Sequence, residues 1–364
     1  MSPSPRLNKL IQWLPQDDKP FVIAGPCSAE SREQVLETGR QLVRLSQVKV
    51  FRAGIWKPRT RPDGFEGAGE EGLKWMKELK AETGLQLTTE VASPRHIELA
   101  LKHGIDMFWI GARTVVNPFS VQELAEALKG VDVPVLVKNP LTPDIKLWMG
   151  ALERIHKAGI NRLAAIHRGF HYFKQSPYRN APMWEIPIEL RRLLPALPVI
   201  TDISHITGRR DLLQVVAQKA LDLETNGLMI ESHFNPEEAL TDADQQISPA
   251  SLKAMLASLI VRERTGSIDF QHKLEELRTE IDKLDGELIQ LLARRMEVVS
   301  EIGAYKKENN ITILQLKRWK HIIEDRLAIG TNMGLDREFL LLLLELVHEN
   351  SIKLQTQIFN QEKK

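Results

Sequence analysis

The sequence predicts an α/β fold: a (β/α)₈ TIM barrel followed by an all-α three-helix domain. Three observations carry this. Eight short apolar runs rich in Val, Ile and Phe alternate with longer amphipathic stretches, their starts about 21 to 38 residues apart, which is room for a strand, a helix and two loops. Each run ends in at least one residue capable of chemistry, as at the C-terminal face of such barrels. Beyond residue 264 strand signals stop and apolar residues step by three and four.

Taken in order, residues 1–20 form an arm in which Leu7, Leu10, Ile11 and Leu14 recur at helical spacing and predict one or two helical turns. The barrel spans 21–264. Its strands are predicted at Phe21–Ala24, Val48–Arg52, Leu85–Glu90, Met107–Ile110, Pro134–Lys138, Arg162–His167, Pro198–Asp202 and Gly227–Glu231. Helical patterns lie between them at Arg32–Val43, Pro94–Lys102, Val121–Leu128, Trp148–Lys157 and Arg209–Lys219, with Pro249–Val261 as the eighth helix. A doubly wound sheet is the alternative, but the first strand is followed by no glycine fingerprint. Residues 265–271, beginning Thr265-Gly266-Ser267, read as a linker. The helical domain covers 272–364. Its first helix is about 35 residues long, with Leu274, Leu277, Ile281, Leu284, Leu288, Leu291, Val298 and Ile302 on a stripe. The second runs from Leu316 to Ile329 and the third from about Asp336 to Phe359.

Composition bounds the function. The chain has 364 residues and a net charge of +1, so bulk charge favours neither nucleic acid nor a membrane surface. Any anion binding must come from local clusters. Its single cysteine, Cys27, excludes an intramolecular disulfide. There is no signal-peptide pattern and no apolar run of about 18 residues, so a cytoplasmic protein is expected.

The densest local cluster is Phe51–Thr60, where Arg52, Lys57 and Arg59 fall within a strand end and a short loop stiffened by Pro58. Arginine forks and a lysine point charge suit phosphate and carboxylate; a solvated basic loop is the plain alternative. Past the other runs stand Arg113, Lys138 and Arg168, which could line one mouth for two anionic substrates. A second set, Cys27, His205, Glu231 and Asp242, mixes thiol, imidazole and carboxylate and suits a divalent metal of the Mn, Fe or Zn class. Its spacing is not a compact metal motif, and a buried apolar cysteine with a structural histidine is the alternative.

The segments Gly25-Pro26-Cys27, Lys57-Pro58-Arg59-Thr60, Gly111-Ala112-Arg113, Asp202-Ile203-Ser204-His205, Gly227-Leu228-Met229-Ile230-Glu231 and Thr241-Asp242 resemble, in order, the DAHP synthases (3-deoxy-D-arabino-heptulosonate 7-phosphate synthases) over roughly 20–262. The absence of an N-terminal regulatory domain is similar to the compact class. The resemblance implies condensation of phosphoenolpyruvate with erythrose 4-phosphate. It implies Cys27, His205, Glu231 and Asp242 as metal ligands. Arg113, Lys138 and Arg168 would hold the phosphoenolpyruvate phosphate, and Arg52 and Lys57 its carboxylate. Arg59 and Thr60 would take the aldose phosphate, and Glu90 and Asp202 would stand behind these groups. Sister enzymes making an eight-carbon sugar acid share the barrel; Lys-Pro-Arg-Thr favours the DAHP synthases. His167 departs from the glutamate many relatives carry before the arginine and puts a local ion pair in doubt.

In the helical domain Arg295 falls on the apolar seam, where a charge needs a partner or a ligand. Lys306 lies about 16 Å further along nearly the same face, and Ser351 and Gln355 share a face of the third helix. A coiled-coil dimerisation module is the alternative. Leu277-Arg278, Asp285, Arg294-Arg295, Gly303 to Lys306, Arg318 and Ser351 to Gln355 resemble the all-helical chorismate mutases over about 268–362. That implies a cofactor-free rearrangement of chorismate to prephenate. Arg295, Arg318 and a partner chain's Arg278 would clamp carboxylates, with Ser351 beside them. Lys306 and Gln355 would stabilise charge on the ether oxygen. Arg278 lies about 25 Å along the helix from Arg295, so a homodimer through the helical domain is expected, with a tetramer as a further option. Gln315 and Trp319 stand where relatives often carry acids. The resulting expectation is a bifunctional enzyme with feedback by prephenate or chorismate. The alternative is a synthase whose helical domain mainly senses ligand and dimerises.

Overall fold

The structure is a computed structural model that describes residues 10–15, 19–57, 64–173, 175–263 and 266–360. Eight parallel strands close into a barrel in chain order: β1 (Phe21–Gly25), β2 (Val48–Arg52), β3 (Gln86–Val91), β4 (Met107–Ile110), β5 (Val135–Lys138), β6 (Leu163–His167), β7 (Val199–Asp202) and β8 (Gly227–Glu231). Closure comes from the pairing of β8 with β1, which sets Gly25 opposite Glu231. The strands read as near-continuous apolar runs because both faces are buried. Alternate residues divide between two cores. Ile23, Val50, Trp109, Leu136, Ile166, Ile200 and Met229 fill the barrel, while Val22, Phe51, Phe108, Val137 and Leu228 pack outward against the helices.

Helix starts are set by capping. Ser31, Ser93, Asn117 and Asp144 accept backbone N–H groups at the heads of Arg32–Leu42, Pro94–Lys102, Pro118–Ala127 and Ile145–Lys157. The last two begin three residues before the predicted starts, because Asn117 and Asp144 cap a first turn that lies outside the buried stripe. Glu70–Thr83 and Glu185–Leu193 fill the intervals after β2 and β6, and Pro249–Ser258 closes the ring. Arg209–Lys219 resolves into a 3₁₀ turn, Arg210–Leu212, and the helix Leu213–Asp222. Two short helices, Ala112–Val115 and Ile203–Thr207, sit directly after β4 and β7.

The arm departs from expectation. Residues 10–15 form no helix; Leu7 lies outside the described residues. Leu14 is 3% exposed and joins the inner core, and Trp13 Nε1 donates to the Leu163 carbonyl at 2.7 Å. Leu14 and Trp13 pack on the inner core while Ile11 stays 53% exposed, a better burial for Leu14 than one short helix in water offers.

The chain divides into two compact units, Met1–Arg262 and Glu263–Lys364. In the second, helices span Ile268–Glu308, Leu316–Asn332 and Arg337–Asn360. The first begins inside the stretch expected as linker, because Ser267 caps it through the Phe270 N–H. The first and third helices approach closely at Gly303, where a Cβ would come within 3.0 Å of Ile358 Cδ1 and 3.1 Å of Gln355 Cγ. The stripe expected as a seam is largely exposed: Ile281 is 56% and Leu284 55% accessible.

Candidate active site

The C-terminal ends of β1, β2 and β8 bring a thiol, two cations and a carboxylate together. Cys27 follows β1 and is 1% exposed. Its Sγ lies 3.3 Å from Asp242 Oδ2 and accepts from Lys57 Nζ at 3.0 Å. Ligand atoms of Cys27, Glu231 and Asp242 all lie within 4.8 Å of one another. Burial, then the charge of Glu231, pushes the Cys27 thiol up to about 12, against the pull of Lys57. Burial also opposes ionisation of Asp242, but Arg179, His205 and hydrogen bonds outweigh it and hold the carboxyl at about 2. Asp242 adopts φ +48°, a left-handed conformation costly for a side chain with a Cβ. His205 stands apart from the trio: its Nδ1 lies 2.9 Å from Asp202 and 3.9 Å from Glu231.

Arg52 is 1% exposed. It lies 3.1 Å from Glu231 Oε1 and 4.9 Å above the Trp109 ring. Its Nε and Nη1 and the Glu231 Oε1 are buried without a hydrogen-bond partner. A buried polar atom left so costs stability unless a ligand satisfies it. Lys138 donates to Asp202 at 2.9 Å. Burial works against the Asp202 charge, but His205 and Lys138 hold its carboxyl well below the usual range. Burial lowers Arg168 to about 10; its Nη1 donates to Asn180 Oδ1 at 2.7 Å. His167 is buried too, drawn down to about 4 by burial, with Nε2 2.6 Å from the Pro182 carbonyl. It is therefore neutral near pH 7, and an imidazole, neutral or protonated, cannot supply the negative partner that a glutamate here would give the arginine beside it. Lys57, Glu90 and Arg113 line a cavity of about 470 Å³ with Trp56 and His96, whose rings stack at 3.9 Å. Arg59 and Thr60 lie outside the described residues.

In the helical unit Arg295 Nη1 donates to Ser351 Oγ at 2.8 Å, and Gln355, on the same face, keeps a buried Oε1 without a partner. Lys306 Nζ donates to the Ile313 carbonyl at 2.6 Å. Arg318 is exposed, and Arg278 is 63% exposed. Trp319 stacks on His348 at 3.6 Å.

Sequence reasoning missed four groups here. Trp109, inside β4, donates to Glu90 Oε2 at 2.8 Å while lying beneath Arg52. Arg179, remote from any strand end, reaches Asp242 at 3.0 Å. Gln245 and Gln246 follow Asp242 by three and four residues, and that proximity to a motif residue was the available signal.

Fold and sites define the class: a barrel enzyme whose mouth gathers cations around a thiol–carboxylate cluster, joined to a helical domain in which Arg295 meets the buried Ser351 and Gln355 lies one turn on. Residues 13–265 match the DAHP synthetase I family and residues 277–356 match chorismate mutase type II. The phospho-2-dehydro-3-deoxyheptonate aldolase of Thermotoga maritima is 31% identical over 238 residues, 65% of this chain and 68% of that protein. The 2-dehydro-3-deoxyphosphooctonate aldolase of Syntrophobacter fumaroxidans is 28% identical over 274 residues, 68% of this chain and 91% of that one. The crystal structure of the Thermotoga maritima DAHP synthase superposes with a TM-score of 0.60 at 31% identity, covering 66% of this chain and 68% of its own. A truncated form of the Thermotoga maritima enzyme gives 0.58 at 28% identity, covering 66% and 85%. The chain belongs to the DAHP synthetase I family and carries a chorismate mutase type II domain. It is a bifunctional shikimate-pathway enzyme, a transferase and an isomerase. Its barrel family is generally metal-dependent.

Proposed function

We propose that the barrel condenses phosphoenolpyruvate with erythrose 4-phosphate using a divalent cation of the Mn, Fe or Zn class. The helical domain would turn chorismate into prephenate, and prephenate or chorismate bound there would restrain the barrel. One observation carries the metal: three electronegative ligand atoms crowd within 4.8 Å in a buried setting, and one Glu231 oxygen there accepts no hydrogen bond. Lys57, Arg52 and Arg179 balance the charge at the edges of this cluster, and a thiol with two carboxylates is a donor set that a divalent transition metal takes. His205 fits as the fourth ligand, since Asp202 holds its Nδ1 and leaves the other ring nitrogen for metal, the usual carboxylate–histidine arrangement. When bound, the ion supplies Lewis acidity toward the aldose carbonyl.

The chain's own residues orient the substrates. Arg52 offers two buried, unsatisfied donors, which suit the phosphoenolpyruvate carboxylate with Lys57 beside them. Arg113, Lys138 and Arg168 take its phosphate, and Arg59 and Thr60 the aldose phosphate. Two anionic reactants repel, and the cations offset this while fixing the approach. In the mutase, Arg295, Ser351, Arg318 and a partner chain's Arg278 hold the carboxylates. Gln355 and Lys306 stabilise charge on the ether oxygen without a cofactor.

The test is a steady-state assay of both reactions. Chelated protein should consume phosphoenolpyruvate only when erythrose 4-phosphate and Mn²⁺ are both present, with mutase turnover indifferent to chelator. Unchanged synthase turnover after complete chelation would overturn the metal. A second reading, in which the helical domain mainly senses ligand, is favoured by Trp319, stacked on His348 where relatives often carry an acid. Arg295→Ala decides: lost mutase turnover supports catalysis, while loss of prephenate inhibition alone supports sensing.

A further inference from the structure

The Gln246 side chain is fully buried. Its Oε1 accepts the Cys27 backbone N–H at 3.0 Å, and its Nε2 donates to the Thr241 carbonyl at 2.7 Å. One amide therefore ties the loop that carries Cys27 to the turn that carries Asp242. The connection spans 219 residues of chain between two loops that share no backbone ladder. It is made at the turn where Asp242 holds its positive φ, a conformation that persists only where surroundings enforce it. Its neighbour acts on the third member of the cluster. Gln245 Nε2 donates to Glu231 Oε2 at 2.6 Å, and its Oε1 accepts from Arg179 Nη1 at 2.7 Å. The same Arg179 nitrogen reaches Asp242 Oδ1 at 3.0 Å. Two adjacent glutamines thus touch or brace Cys27, Glu231 and Asp242, and neither side chain carries a charge that would compete for a cation.

We propose that Gln246, assisted by Gln245, is a positioning residue of the metal site. It sets the separation of Cys27 and Asp242 before any ion arrives, so that binding does not have to order the two loops. The proposal rests on the metal reading given above. An amide suits this role because one side chain must accept from one backbone and donate to another, which a carboxylate or an aliphatic residue of the same length cannot do. Partners that orient metal ligands commonly contribute about 10- to 100-fold in metal affinity.

The experiment measures the dissociation constant of Mn²⁺ for full-length chelated protein by electron paramagnetic resonance of the free ion, without substrate. Gln246→Met, which keeps length and removes both hydrogen bonds, should weaken Mn²⁺ binding at least tenfold. The KM for phosphoenolpyruvate at saturating Mn²⁺ and the mutase kcat/KM should stay within about twofold of wild type. Gln246→Ser, which leaves room for a bridging water, should fall between the two and decides the matter if the Met variant does not fold. Wild-type protein that takes up no Mn²⁺ sinks the metal reading and this proposal with it. Wild-type uptake with an unchanged constant in the folded variants sinks the positioning role alone.

Discussion

At the residue scale the site separates groups that act on substrate from groups that hold neighbours. Lys57, whose ammonium donates to Cys27 Sγ and which lines a cavity with Arg113, is of the first kind under the function proposed above. Lys57→Ala should cut synthase kcat/KM by roughly 10²–10³-fold, the usual loss of one preorganised donor, with mutase turnover unchanged in the same preparation. His167 is of the second kind. Its folded pKa of about 4 lies below the ordinary 6.5, so the unfolded chain binds the proton first as pH falls. Stability is unaffected above about 6.5, declines as pH falls from there, and has lost its full share below about 4, on the order of 3 kcal/mol. His167→Gln should flatten that part of the stability–pH curve in urea titrations; an unaltered slope would assign the acid sensitivity elsewhere.

At the element scale the barrel depends on how closely β1 and β2 approach. Gly25 has φ +152°, and a Cβ there would stand 2.1 Å from the Arg52 carbonyl oxygen. Gly25→Ala should therefore cost on the order of 3 kcal/mol in strain and displacement, read as a lower denaturation midpoint of the barrel. It should also raise the KM for phosphoenolpyruvate, because Arg52 ends the strand being pushed. Most strands were legible as apolar runs, since burial on both faces leaves no alternation to misread. Helix starts were less legible where caps such as Asp144 precede the apolar period. The arm misled because spacing alone cannot distinguish a helix from a non-helical segment packed on the core.

At the scale of the whole molecule the long helix carries an exposed apolar stripe that includes Ile281, Leu284 and Leu288, while Arg278 projects into solvent beside it. Exposed patches of this kind mark contact surfaces. Leu284→Glu with Leu288→Glu should shift the protein toward monomer in analytical ultracentrifugation and abolish mutase turnover. A wild-type monomer with full mutase activity would remove the need for a partner's arginine.

The sequence by itself determined the eight-strand count, the strand bounds to within a residue or so, and most of the residue types at the sites, because local apolar period and motif chemistry are written in neighbouring positions. Only the tertiary structure decided which of them meet. Cys27 and Asp242 are 215 positions apart and touch because β8 closes on β1. Trp109 under Arg52 and Arg179 on Asp242 were invisible for the same reason, and the two glutamines offered only their nearness to Asp242. Their roles depend on distances across the barrel mouth, set by closure and side-chain packing rather than by anything in the adjoining sequence.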